Sequence, residues 1–213
     1  MSIHVNSGLK LYMESAIAAP VAITAITKAA PGVLSATGHT FANGDTVLLE
    51  IQGMVELHGY LCKVVNVVAS TSFQVAGVDG TAGIDTTLFS TFSSGTAKKV
   101  TLGTSIVGVQ EFAFAGGEIK TTDTTTVNDT VDTQIVVGAT AQSADMTMQW
   151  DPSAAAQQAM IAAFKTRSNK GFKVLWPDGA FAMWYGTVGY TGAPGGGKQG
   201  VTTSPAKITM LGG

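Results

Sequence analysis

The stretch Ala144-Asp145-Met146-Thr147-Met148-Gln149-Trp150 alternates apolar and polar residues, and Asp151-Pro152 follows at once. A period of two puts Ala144, Met146, Met148 and Trp150 on one face of a strand and Asp145, Thr147 and Gln149 on the other, the pattern of a strand half-buried on a core. The next residues, 154–164, are strong helix formers. Asp151 suits an N-cap and Pro152 the first helical position. Lys165, Arg167 and Lys170 put positive charge at the far end, and Gly171 supplies a stop. Met160, Ala163 and Phe164, with Ala156 or Ala159 one turn earlier, form an apolar stripe for packing on a sheet. Phe172, Val174 and Trp176 then alternate into the turn Pro177-Asp178-Gly179, and Phe181, Met183 and Tyr185 alternate back out of it, which predicts a hairpin. Ala206, Ile208 and Met210 form a final strand.

Working upstream, Ser105-Ile106-Val107-Gly108-Val109-Gln110-Glu111-Phe112-Ala113-Phe114 reads as extended chain. The most polar part of the sequence follows at 120–133, dominated by Thr with Asp123, Asp129 and Asp132. Thr favours extended structure, so this segment is either a long hairpin arm or a mobile loop. Residues 21–100 differ in texture: short β-branched runs (22–27, 33–37, 46–51, 59–68, 72–75) are separated by turn signals such as Pro31-Gly32 and Asn43-Gly44-Asp45. This spacing suits a small all-β module. Residues 1–20 hold one strand-like stretch, Leu9-Lys10-Leu11-Tyr12-Met13. The whole reads as mainly β, antiparallel, with one helix.

Composition narrows the function classes. Of 213 residues, 45% are hydrophobic and only 12% charged, about half the charged fraction of an ordinary soluble domain. No apolar run reaches the ~18 residues of a membrane helix, and Met1-Ser2-Ile3-His4-Val5 lacks the features of a secretory signal. Low charge without a membrane span points to a surface covered by repeated subunit contacts, or to a β-rich monomer with a Thr/Ser surface. The net charge of −2 gives no overall attraction for nucleic acid.

Motifs that could carry chemistry are weak. A single cysteine, Cys62, excludes an intrachain disulfide, and His4, His39 and His58 show no metal-ligand spacing. Cys62 lies among Tyr60, Leu61, Val64 and Val65, as a buried structural thiol would. Gly195-Gly196-Gly197-Lys198 is followed by Gln199 and a β-like segment, where a phosphate loop needs Ser or Thr and a helix. Trp150, Trp176 and Trp184 alternate with Met and Phe as sheet-core residues do. No catalytic, cofactor or metal residues emerge. Glu111, Glu118, Asp123, Asp129, Asp132 and Asp145, with Asp151, lie in a segment whose only basic residue is Lys120. They form a solvated acidic surface or, if the segment faces an enclosed pore, a wall that repels a phosphate backbone.

Asp151-Pro152-Ser153-Ala154-Ala155-Ala156-Gln157-Gln158-Ala159, then Ala163-Phe164, then Phe172-Lys173-Val174-Leu175-Trp176-Pro177-Asp178-Gly179, resembles the lambda-type major tail tube proteins of long-tailed bacteriophages. Gly8-Leu9-Lys10-Leu11-Tyr12, the Thr/Asp-rich stretch 121–133 and the closing segment 206–212 fit the same pattern. The resemblance covers 1–20 and 101–213. It implies an antiparallel β-sandwich or barrel with a flanking helix, a tail tube domain that forms stacked hexameric rings. The channel would hold the tape-measure protein and pass double-stranded DNA during ejection, and the tube would meet tail tip and terminator proteins. It implies no enzyme, no cofactor and no membrane, and a virion protein made in the bacterial host cytoplasm. By analogy Glu111, Glu118, Asp123, Asp129, Asp132 and Asp145 would face the lumen, and the Thr-rich arm would make ring-to-ring contacts.

Residues 21–100 are an insertion relative to that pattern. Their run His39-Thr40-Phe41-Ala42-Asn43-Gly44-Asp45-Thr46-Val47, with Gly53-Met54-Val55-Glu56-Leu57-His58-Gly59 and then Phe73 and Gly77-Val78-Asp79, is similar to a β-module of phage structural proteins, expected on the outer tube surface. Two other functions compete: a host-surface or carbohydrate-binding virion module, with the region of His58 and Tyr60 as its site, and a small hydrolase, for which no nucleophile–base pair can be assembled.

Overall fold

The computed structural model describes residues 7–76, 80, 83–128, 130–196 and 200–211. It is mainly β, with 48% strand and 8% helix. Among the described residues the elements are β1 (Lys10–Met13), β2 (Ala16–Ile17), β3 (Val21–Ile23), β4 (Ala25–Ile26), β5 (Leu34–Ser35), β6 (Thr46–Gln52), β7 (Leu61–Val68), β8 (Ser72–Val75) and β9 (Ser94–Thr101). They continue with β10 (Thr104–Ile106), β11 (Val109–Ala115), β12 (Ile119–Asp123), β13 (Gln134–Ala139), β14 (Ser143–Gln149), α1 (Ala155–Thr166), β15 (Asn169–Leu175), β16 (Phe181–Gly189) and β17 (Thr203–Met210).

Two antiparallel bodies result, and each closes by the same device. The first is a seven-stranded sheet in the order β10-β1-β15-β16-β17-β14-β11. Its two edge strands, β10 and β11, are one stretch of chain broken only at Val107-Gly108, so the sheet must curl until its edges meet there. Gly108 makes the bend at φ +74°. A strand that switches edges in this way forms the corner of a sandwich or barrel. The extended reading of 105–114 holds on both sides of that corner.

The second body runs β9-β6-β7-β8-β5-β4, with β3 on the free side of β9. Here β3 and β4 are separated by Thr24 alone, whose N–H (2.8 Å) and hydroxyl (3.2 Å) both donate to the Ser35 carbonyl. This ring therefore closes too. The chain leaving the first body and returning to it runs paired, Ala16 opposite Thr101 and Ile17 opposite Val100. Each body has its own core. One gathers Leu11, Met146, Met148, Met160, Phe172 and Ile208, and the other Leu34, Leu49, Ile51, Val64 and Phe73.

The deciding stretch behaves as its alternation requires: Ala144, Met146 and Met148 are buried while Asp145 and Thr147 are half-exposed. Trp150 departs from it, because β14 ends at Gln149 and the indole turns outward to donate to the Gly192 carbonyl at 3.0 Å. Trp184 is the buried tryptophan, stacked on Phe172 with centroids 6.0 Å apart.

The helix differs from its sequence reading at both ends. Asp151 is not the N-cap. Its Oδ1 accepts from the Ser153 N–H (2.9 Å) and hydroxyl (2.6 Å) in a turn, and the helix starts after Ala154. Arg167 in the left-handed region ends it, at φ 52°, and Gly171 lies inside β15. Phe164 faces outward at 41% exposure. Gln157 takes the buried place on the inner face. Its amide donates to the Gln149 carbonyl (2.6 Å), and its Oε1 accepts from the Tyr190 hydroxyl (2.8 Å) and the Asp151 N–H (3.2 Å). A buried amide so satisfied fixes the helix against β14 at little net cost.

Candidate assembly surface

The Thr-rich segment is a hairpin arm, with β12 and β13 paired from Ile119 opposite Ala139 to Asp123 opposite Gln134. At its base Gly116 and Gly117 adopt φ +89° and +80°, and a side chain at Gly116 would run into the Ala141 carbonyl oxygen. The Glu118 N–H donates to Thr140 Oγ1 and the Thr140 N–H to the Glu118 carbonyl, both at 2.8 Å. Near the tip, Asp123 Oδ1 accepts from the Thr125 hydroxyl (2.5 Å) and N–H (2.8 Å), which together lower the Asp123 pKa and keep the carboxylate ionised.

No side chain of either arm strand is buried. Yet Ile119 (69%), Val131 (73%) and Val136 (67%) stand in water. Ile135 and Val136, opposite Thr122 and Thr121, point to opposite faces of β13, and Val137 is the extra residue of a bulge, so both faces are apolar in part. An isolated two-stranded ribbon is marginally stable at best, and an apolar surface of this kind marks a contact with another protein.

The acidic residues separate into two groups. Glu111 and Asp145 lie on the outer face of β11 and β14, where Glu111 is opposite Thr147 and Asp145 opposite Ala113. They line an open groove of about 520 Å³ with Pro205 and Lys207. The Lys207 ammonium is 3.8 Å from the Asp145 carboxylate. Glu118 sits at the arm's base, and Asp123 and Asp132 toward its tip, all exposed. Asp129 lies outside the described residues.

The features that could have carried chemistry are occupied otherwise. Cys62 is buried and its pKa is pushed up to about 12 by burial. His58 Nδ1 is bonded to the Ile51 carbonyl at 2.9 Å. Of the Gly-rich loop, residues 197–199 lie outside the described residues, and the element after it is the strand β17, with no helix for a phosphate to cap. Among the described residues no cluster of three or more His, Cys, Asp or Glu could hold a metal ion, and no helix is long and apolar enough to cross a membrane.

What remains is a β subunit with a chemically exposed arm and a closed body that places it. The family profile described as phage tail tube protein matches residues 53–213. The chain belongs to the phage tail tube protein family. The matched segment takes in the arm, the helix and β7 to β17, so it runs through part of the second body as well as the first. No curated protein matches the sequence significantly. As a tail tube protein the chain is a structural component of a phage tail, assembling with copies of itself and with other tail components.

A second group of residues was missed from the sequence. Glu14 is buried and receives the Lys170 ammonium (2.9 Å) and the Gly171 N–H (3.1 Å). Gly171 faces the other body, where a Cβ would stand 3.2 Å from Leu61 and 3.4 Å from Val100 and Leu102. Leu48, Leu61 and Val100 form a small cluster there with Leu102, Met183 and Tyr185. Only the alternation of Met183 and Tyr185 hinted at it, and alternation does not say what covers a face.

Proposed function

We propose that this tail tube protein is of the lambda type and polymerises as stacked hexameric rings, the channel through which DNA leaves the capsid. The arm carries this reading: a ribbon with no buried side chain and apolar residues on both faces is stable when a neighbouring subunit covers it. Stacked rings provide such a neighbour for every copy. Tape-measure protein would fill the channel before ejection, and tip and terminator proteins would close its ends.

The second body, residues 21–100, is on this reading an inserted domain on the outside of the tube. Its paired connections at β2 and β9 are what an insertion between adjacent chain positions would leave. Lumen acidity would come from one of the two groups, Glu111 with Asp145 or the arm carboxylates. Either wall repels the phosphate backbone over about a Debye length, ~8 Å at physiological salt, so DNA slides past.

Electron microscopy of the concentrated protein tests this. Rings or tubes with sixfold symmetry, a central channel and density for residues 30–90 on the outside are expected. A sample that stays monomeric even with a tail-initiating complex, or density for 30–90 in the channel, would overturn it.

A further inference from the structure

The outer face of the β15–β16 hairpin packs against the second body, and its turn end carries a charge arrangement that the tube reading leaves unused. The Phe181 ring is flanked by two ammonium groups, Lys173 Nζ at 5.3 Å and Lys63 Nζ at 5.8 Å from its centroid. Lys173 also lines an open groove of about 370 Å³ between the two bodies, beside the Lys99–Asp45 pair. Burial first, and then repulsion from Lys63, lower the Lys173 pKa. The aromatic face attracts both cations but neutralises neither. Among the described residues Glu14 pairs with Lys170, Asp45 with Lys99 and Glu50 with Lys98. Among the described residues no carboxylate lies within 4.0 Å of Lys63 or Lys173.

The arm is the complement. Asp123 and Asp132 are exposed toward its tip without a salt bridge among the described residues, and Val131 beside them is exposed and apolar. We propose that the acidic tip of the arm of one copy seats on the Lys63–Phe181–Lys173 waist of a second copy. Asp123 and Asp132 face the two ammonium groups, beside a ring that Gly80 of the receiving copy already packs against. This rests on the reading that the chain assembles with itself, and it assigns the arm a receptor on its neighbour. Charges brought together there are partly desolvated, where pairing outweighs that of exposed surface pairs.

The full chain is tested with Lys63→Glu/Lys173→Glu, Asp123→Lys/Asp132→Lys, and the four changes combined. Each pair should cut the polymerised fraction about tenfold or more, as loss of interfacial charge pairs does, and the combination should restore it. Melting temperatures close to wild type show that the chains fold. Polymerisation of Lys63→Glu/Lys173→Glu at the wild-type level, or no rescue in the combination, overturns the docking while leaving the tube intact. Should wild type form no tubes, the docking is read separately by mixing Asp132→Cys chains with Lys173→Cys chains under mild oxidation. A disulfide-linked pair supports the contact, its absence refutes it, and buried Cys62 does not compete.

Discussion

The second body and the arm draw on the same vocabulary of Val, Ile and Thr strands, yet those residues end up in opposite surroundings. In β6 and β8, alternate or successive side chains such as Leu48, Leu49, Ile51, Phe73 and Val75 are buried. In β12 and β13, Ile119, Ile135, Val136 and Val137 all stand in water. Strand propensity is satisfied in both, so it cannot be what separates them. The difference is closure. The second body rolls through the Thr24 corner until its faces enclose a core, whereas the arm has two strands and nothing to roll around. Side chains of the first kind stabilise the subunit, and those of the second kind are exposed in it and, on the proposed reading, meet a neighbour.

This contrast is broken most directly by substituting one residue of each kind. Phe73→Ala opens a cavity among fully buried side chains and should cost ~3–5 kcal/mol, read as a large fall in the denaturant midpoint. Ile135→Thr/Val137→Thr should leave subunit stability within ~0.5 kcal/mol, as exposed positions do, while sharply reducing tube formation. Equal loss of stability in the two variants would mean that the arm belongs to the subunit's own core.

The next effect lies where the two bodies meet. Lys170→Ala leaves the buried Glu14 carboxylate with the Gly171 N–H as its remaining hydrogen-bond donor among the described residues. The expected cost is ~2–3 kcal/mol, somewhat below that of breaking a fully buried pair because Lys170 is partly exposed. Thermal unfolding of Lys170→Ala against Lys170→Met checks this. Glu14→Gln/Lys170→Met, which removes both charges, should recover part of the loss.

How much of this was legible beforehand depended on whether a local pattern had one structural outcome. The alternation at 144–149 had one, and so did the Pro177-Asp178-Gly179 turn. Gly171 had two: a glycine after a helix suits a stop, but equally a strand position where another element approaches closely, and only the packed Leu61 and Leu102 decide between them. Asp151 likewise serves a cap or a turn, and its bonds to Ser153 chose the turn three residues ahead of the helix. The acidic residues were legible as charge but not as place. Glu111 and Asp145 come together only because β11 pairs with β14, while Glu118, Asp123 and Asp132 are carried away from that face by the arm. Closure of both bodies was invisible, since Val107-Gly108 and Thr24 look like ordinary breaks until the strands on either side are known to lie at opposite edges.

A smaller effect comes from Asp45, in the turn before β6. Burial raises its pKa, but the Lys99 ammonium at 2.8 Å and the Ala42 N–H at 2.9 Å outweigh that, and the net shift is downward. A depressed carboxylate pKa contributes stability that is present above its unfolded value, ~3.9, and lost as pH falls through the folded value. Asp45→Asn should therefore melt slightly below wild type at pH 7, by up to ~1 kcal/mol for a partly exposed pair. The gap should close as pH falls below the ordinary carboxylate range and wild type protonates. A gap that persists unchanged at low pH would assign the effect to turn geometry alone.

The least perturbing measurement uses Cys62, which needs no substitution. Its thiol is buried in the second body and its pKa is pushed up to about 12, so at pH 8 it is neither accessible nor ionised in the closed barrel. Reaction with a thiol reagent then requires the barrel to open, and the labelling rate reports the population of that open state. Val137→Cys puts a second thiol on the arm, where the side chain already stands in water. In the unassembled subunit it should react at once while Cys62 waits for unfolding, giving two well-separated phases. On assembly the arm thiol should become protected while Cys62 keeps its slow phase, because Cys62 is already shielded by the subunit's own fold. If instead Cys62 reacts as fast as the arm thiol, the second body is not the closed barrel that distinguishes it from the arm.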